Sequence, residues 1–145
     1  MTRRQAIDRE QVRDAVEAAE RRTSAEIVVS IAPFFIGDVR RATRRAFRWL
    51  RIAHTQDRNG ILVFVVPARK HVAVLADEGA HGCIDHALWH DVASHIADAF
   101  SRGDGSAGIV HGIGRLAAAL SVPFPGTHGA VDAVAAHHQA RRTEV

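Results

Sequence analysis

Cysteine occurs once in this chain and tyrosine not at all, and almost all of the positive charge is arginine. The single thiol, Cys83, excludes an internal disulfide and any cage built from several cysteines. No apolar run approaches the roughly 20 residues that a membrane-spanning helix needs. Arg3-Arg4 is followed by polar residues and not by the apolar core of an export signal, so a cytoplasmic location is the expectation. Several catalytic patterns are missing too. There is no phosphate-binding P-loop, no Asp-x-Asp nucleophile pair and no Arg-His-Gly. Cys83 is no tyrosine-phosphatase nucleophile, because Trp89 stands where that pattern places its arginine. Gly112-Ile113-Gly114-Arg115 lies inside a helical stretch and follows no strand, which excludes a dinucleotide loop.

What is present fits one α/β domain. The 145 residues (15.8 kDa, 47% hydrophobic) are enough to bury roughly two-thirds of the unfolded surface. The expected division is a domain over residues 1–126 and a tail over 127–145, with a short helix near Val131–Ala140 as one option. The net charge of +3 and a pI near 10.3 favour anionic partners.

Periodicity sets the elements. Asp8 caps a helix over Arg9–Arg22 whose Val12, Ala15, Val16 and Ala19 share a face. Ala25–Ile31 reads as a strand. Asp38 caps a second helix over Val39–Ala53, with Val39, Ala42, Ala46, Trp49, Leu50 and Ala53 inward. Ile61–Val66 is apolar throughout, as a strand buried on both faces must be. Pro67–Lys70 is short enough for a hairpin turn, so His71–Ala76 should return antiparallel. A helix from near Gly82 to Phe100 and another over Ser106–Leu120 complete the domain; Gly108 and Gly112, one turn apart, would admit a close neighbour. Strand, helix, strand in this order calls for a right-handed parallel crossover.

That topology gathers polar residues at one edge of the sheet. The starts of the first two strands and the end of the third bring together Thr23, Ser24 and Glu26, then Asp57, Arg58 and Asn59, then Asp77, Glu78 and Gly79. The helix expected to begin just after Gly82 would turn its first amides to the same edge. Carboxylates beside amides and an arginine suit calcium or magnesium, a phosphate, or both. The plainer reading makes Asp77 and Asn59 turn caps. The opposite edge, favoured by the general rule for open α/β sheets, offers phenylalanines and two cations but almost no acid.

The same residues carry a family resemblance. Thr23-Ser24-Ala25-Glu26-Ile27-Val28-Val29, Thr55-x-x-Arg58-Asn59-Gly60-Ile61-Leu62, Ala76-Asp77-Glu78-Gly79, Leu88-Trp89 and Gly108-Ile109-Val110-x-Gly112-Ile113 resemble the TPM-domain family over roughly Ala15 to Pro125. The resemblance implies a three-layer α/β/α sandwich, with a small mixed sheet between about four helices. Family members include a thylakoid-lumen acid phosphatase and a photosystem II repair protein, and some bind calcium at acidic loop residues. Many bacterial members are exported or tethered; this chain resembles the short, stand-alone kind.

Three functional expectations follow. The first is a binding or accessory domain with a calcium or magnesium site formed by Asp57, Asn59, Asp77 and Glu78. The second is an acid phosphatase acting on a phosphorylated small molecule: Asp57 and Asp77 would hold the metal, Arg58 would clamp phosphate, and His54 or His81 would move a proton. The third rests on Arg40, Arg41, Arg44, Arg45, Arg48 and Arg51, which line the outer side of the second helix with no acid between Asp38 and Asp57. An exposed helix ordinarily intersperses glutamate with arginine. A face without it suits a nucleic acid, an anionic membrane surface or an acidic protein. His86 and His90 have zinc-ligand spacing but lack the glutamate of a metalloprotease helix, and read as solvated. Cys83 reads as a partly buried thiol, and Trp49 and Trp89 as core.

Overall fold

Strand β2 (Gly60–Val66) is buried at every position and is the centre of the molecule. The computed structural model describes residues 7–32, 37–53 and 58–126. β1 (Glu26–Ile31) pairs parallel with β2, and β3 (His71–Ala76) pairs antiparallel on its other side, giving the order β1-β2-β3. A 3-10 turn at Pro67–Arg69, closed by Lys70 in the left-handed conformation, joins β2 to β3.

Because successive side chains of a strand point to opposite faces, β2 supplies two cores. Ile61, Val63 and Val65 join Ile27, Val29, Ile31, Val74 and Ala76 on one face, under α1 (Arg9–Arg22), α4 (His86–Ser101) and α5 (Gly105–Leu120). Leu62, Phe64 and Val66 join Val28 on the other, under α2 (Val39–Ala53), which inserts Ala42 and Leu50. Helices on both sides of a small mixed sheet make the three-layer α/β/α sandwich. α4 and α5 approach closely: a Cβ at Gly108 would run into Ala99, and one at Gly112 would come within 2.9 Å of Ile96. Residues 121–126 return to the mouth of β1, where Ser24 N donates to the Phe124 carbonyl at 2.9 Å and Thr23 bridges Pro125.

Two expectations are corrected. The helix placed from Gly82 to Phe100 is two pieces, a four-residue α3 (Glu78–His81) and α4 starting at His86. Each has its own acidic cap: Asp77 Oδ1 accepts from Glu78 N at 2.7 Å and Asp85 Oδ1 from Ala87 N at 3.1 Å. The stretch 82–85 between them turns the chain, so the helix that starts at Asp77 is the four-residue α3 and the long α4 begins only at His86.

Trp49 is not core but 50% exposed, whereas Phe47 is half-buried against the second cluster. At 3.6 residues per turn Trp49 lies only about 20° outside Ala42 on the helical wheel. A methyl group tucks under the sheet at that margin; an indole does not. Trp89 is buried, as expected. The tail from 127 on, and with it the option of a helix near 131–140, lies outside the described residues.

Candidate functional site

The strand register fixes the rim. Glu26 opposes Gly60 across the parallel pair and Ile61 opposes Ala76 across the antiparallel pair. Residues 23–26, 58–60 and 76–78 therefore share one edge, and Asp77 N donates to the Gly60 carbonyl at 2.9 Å. Asn59, 8% exposed, donates from Nδ2 to the Ser24 carbonyl at 3.3 Å and ties the approach of β2 to that of β1. Thr23 is buried and structural: its hydroxyl donates to the Phe124 carbonyl at 2.6 Å and accepts from Ala25 N at 3.1 Å.

Asp77 is the chemical centre of the rim. It is 2% exposed, and its backbone carbonyl accepts from Ala80 N and His81 N at 3.0 and 2.9 Å. Two guanidinium groups meet its carboxylate: Arg51 Nε lies 3.4 Å from Oδ1, and Arg58 Nη1 lies 3.7 Å from Oδ2. Arg58 has a positive φ of 54° as the chain turns into β2. Oδ1 also has the Glu78 amide, whereas Oδ2 is buried without a hydrogen bond. The pair spans layers, since Arg51 comes from α2 and Asp77 from the sheet edge.

The other candidates are placed as follows. Glu78 and His81 are exposed, and the His81 ring sits 4.1 Å from that of His86. Asp57 and His54 lie outside the described residues. Cys83 is exposed, not partly buried, with Sγ 3.4 Å from the Gly79 carbonyl. His86 and His90 are exposed. Among the described residues no three His, Cys, Asp or Glu side chains come together as a metal site. Of the carboxylates described at the rim, Asp77 is buried and already faced by two arginines, and Glu78 is exposed.

The outer side of α2 is different in kind. Arg40, Arg41, Arg44, Arg45 and Arg48 are all exposed. Arg51 is exposed as well, but turns its Nε to Asp77 and leaves the row for the rim. The helix contains no acid; Asp38, its cap, accepts from Arg40 N at 2.9 Å and Arg41 N at 3.4 Å. Those amides, and then the charges of Arg41 and Arg44, hold the Asp38 carboxyl below its ordinary value. On the inner side, the Thr43 hydroxyl donates to the Val39 carbonyl at 2.8 Å and lies within hydrogen-bond distance, 3.1 Å, of His71 Nε2. Burial, and then the charge of Arg69, lowers the pKa of His71 and favours the neutral ring.

Sequence reasoning missed two of these features. The Arg51–Asp77 pair gives no local signal, because the partners are far apart in sequence and periodicity assigned Arg51 to solvent. The Thr43–His71 contact was legible in principle, since both residues lie on the face of their element that turns toward the other.

The family model of the TPM domain matches residues 5–119. A search of curated proteins found no match. Among solved structures, the chain is similar to the BA42 protein from the psychrophilic bacterium Bizionia argentinensis, with a TM-score of 0.72 at 27% identity over 83% of this chain and 86% of that one. It is also similar to the N-terminal domain of a protein from P. gingivalis, with a TM-score of 0.61 at 21% identity over 83% and 79% of the two chains. At the latter identity the likeness concerns the fold alone. With well over half of the sequence inside the family match, the chain belongs to the TPM domain family.

Proposed function

We propose that this TPM domain is a binding module that docks on a polyanionic surface through the outer side of α2. The observation that carries the reading is six exposed arginines on one helix that contains no acid, five of them on its outer side and the sixth, Arg51, turned to Asp77. Like charges on one helix face destabilise it by a few tenths of a kcal/mol per (i, i+4) pair. An anionic partner turns that cost into attraction. The metal-assisted phosphatase finds less support at the rim. The Arg58 guanidinium that would clamp phosphate points at Asp77, and the charge Asp77 would offer a metal is met by arginine.

Retention on immobilised heparin, a generic polyanion, tests the reading. Wild type should elute at markedly higher salt than a variant with Arg41, Arg44, Arg45 and Arg48 replaced by Gln. Each lost ionic contact also flattens the dependence of log affinity on log salt, by about 0.7–0.9 in slope on nucleic-acid scales. Equal elution of the two proteins would contradict the proposal.

A second reading, a divalent cation at the rim, is favoured by one feature: Asp77 Oδ2 is buried and without a hydrogen bond. Binding at 100 times the dissociation constant would add about 2.7 kcal/mol of stability. Calcium should then raise the melting temperature of wild type but not of Asp77→Asn. An unchanged melt at millimolar calcium removes this reading.

A further inference from the structure

We infer that the polyanion is a lipid surface, and that Trp49 is the residue that enters it. This rests on the proposed role of α2 and adds a partner to it. Three features favour lipid headgroups over nucleic acid. Trp49 is 50% exposed, and on the helical wheel it continues the arginine arc, following Arg41 and Arg45 at four-residue steps. An indole beside cationic side chains is the composition of a membrane–water interface, where the ring sits at headgroup depth and the guanidinium groups pair with phosphates. Thr43, the one neutral hydroxyl or amide side chain of the helix, is turned inward to His71. The outer face therefore has none of the Asn, Gln or Ser side chains that read base edges beside arginine. Finally, α2 is the one described helix over its face of the sheet, so it presents its outer side along about 22 Å of helix length. That is a shape for lying on a plane, with each arginine near the surface adding about fivefold to the partition constant.

The test uses the full chain and three probes: vesicles of phosphatidylcholine alone, the same vesicles with one-third phosphatidylglycerol, and a DNA duplex. Wild type should co-sediment with the phosphatidylglycerol vesicles and not with phosphatidylcholine. Replacing Arg41 and Arg45 by Gln should weaken that binding about 25-fold. Brominated lipid should quench wild-type fluorescence, and most of the quenching should vanish in Trp49→Phe, which leaves the buried Trp89 as the remaining emitter. Circular dichroism of each exposed-site variant checks that it is folded. Vesicle binding without quenching assigned to Trp49 overturns the inference, as does binding to DNA without binding to phosphatidylglycerol. In both cases the role of α2 itself stands. Loss of heparin retention in the wild type would instead remove the reading beneath it.

Discussion

Asp77 shows how much one side chain does at the sheet edge. It ends β3, caps α3 and is the buried anion on which Arg51 and Arg58 close. Breaking a fully buried ion pair costs about 3–5 kcal/mol. Here the guanidinium partners are 45% and 36% exposed, so solvent recovers part of that. Adding the loss of a cap, typically about 1 kcal/mol, Asp77→Ala should destabilise the domain by roughly 2–3 kcal/mol. Asp77→Asn, which keeps a capping oxygen, should cost about 1 kcal/mol less. Urea unfolding of the two variants checks the order; Asn equal to or worse than Ala would show that charge and not the cap dominates. The capping role of Asp77 was legible from its place after a strand. Its arginine partners were not, because no pattern along the chain pairs a residue on an outer helix face with one at the end of a strand.

At the scale of elements, reading succeeded where composition forces one answer. A seven-residue strand without a polar side chain has to be central, and β2 carries its neighbours' register with it. It failed where two local signals compete. Asp85 falls within the helical period of Ile84 and Leu88, yet an aspartate followed by free amides begins a new helix. Trp49 was assigned inward by its period, and only the size of the indole at the stripe's margin decides otherwise.

The α4–α5 contact makes a sharper test of packing against propensity. Replacing a mid-helix glycine by alanine gains about 1 kcal/mol where nothing intervenes. Gly114→Ala meets nothing within 4 Å and should stabilise by about 0.4–1 kcal/mol. Gly108→Ala meets Ala99 and should destabilise, because overpacking costs typically 1–3 kcal/mol. Denaturation midpoints moving the same way in both variants would contradict the account of that interface.

For the molecule as a whole, the two faces of the sheet divide the work. One side is closed by three helices that account for most of the core. Among the described residues the other is closed by α2, which buries Ala42 and Leu50 inward and carries arginine outward. Through Arg51 the same helix is tied to the acidic rim, so the basic face and the family's most recognisable residues belong to one layer-spanning unit. The net charge of +3 understates this asymmetry, since a molecule of modest total charge concentrates six exposed arginines on a single helix.

The central claim is that this face is where an anionic partner is met. Amide-resolved NMR of the full chain, titrated with a short heparin oligosaccharide, tests it most directly. The account predicts shift changes concentrated between Arg40 and Trp49, weakening as salt rises. Changes centred on Asn59 and Asp77 or along α4 and α5, with α2 unmoved, would contradict it.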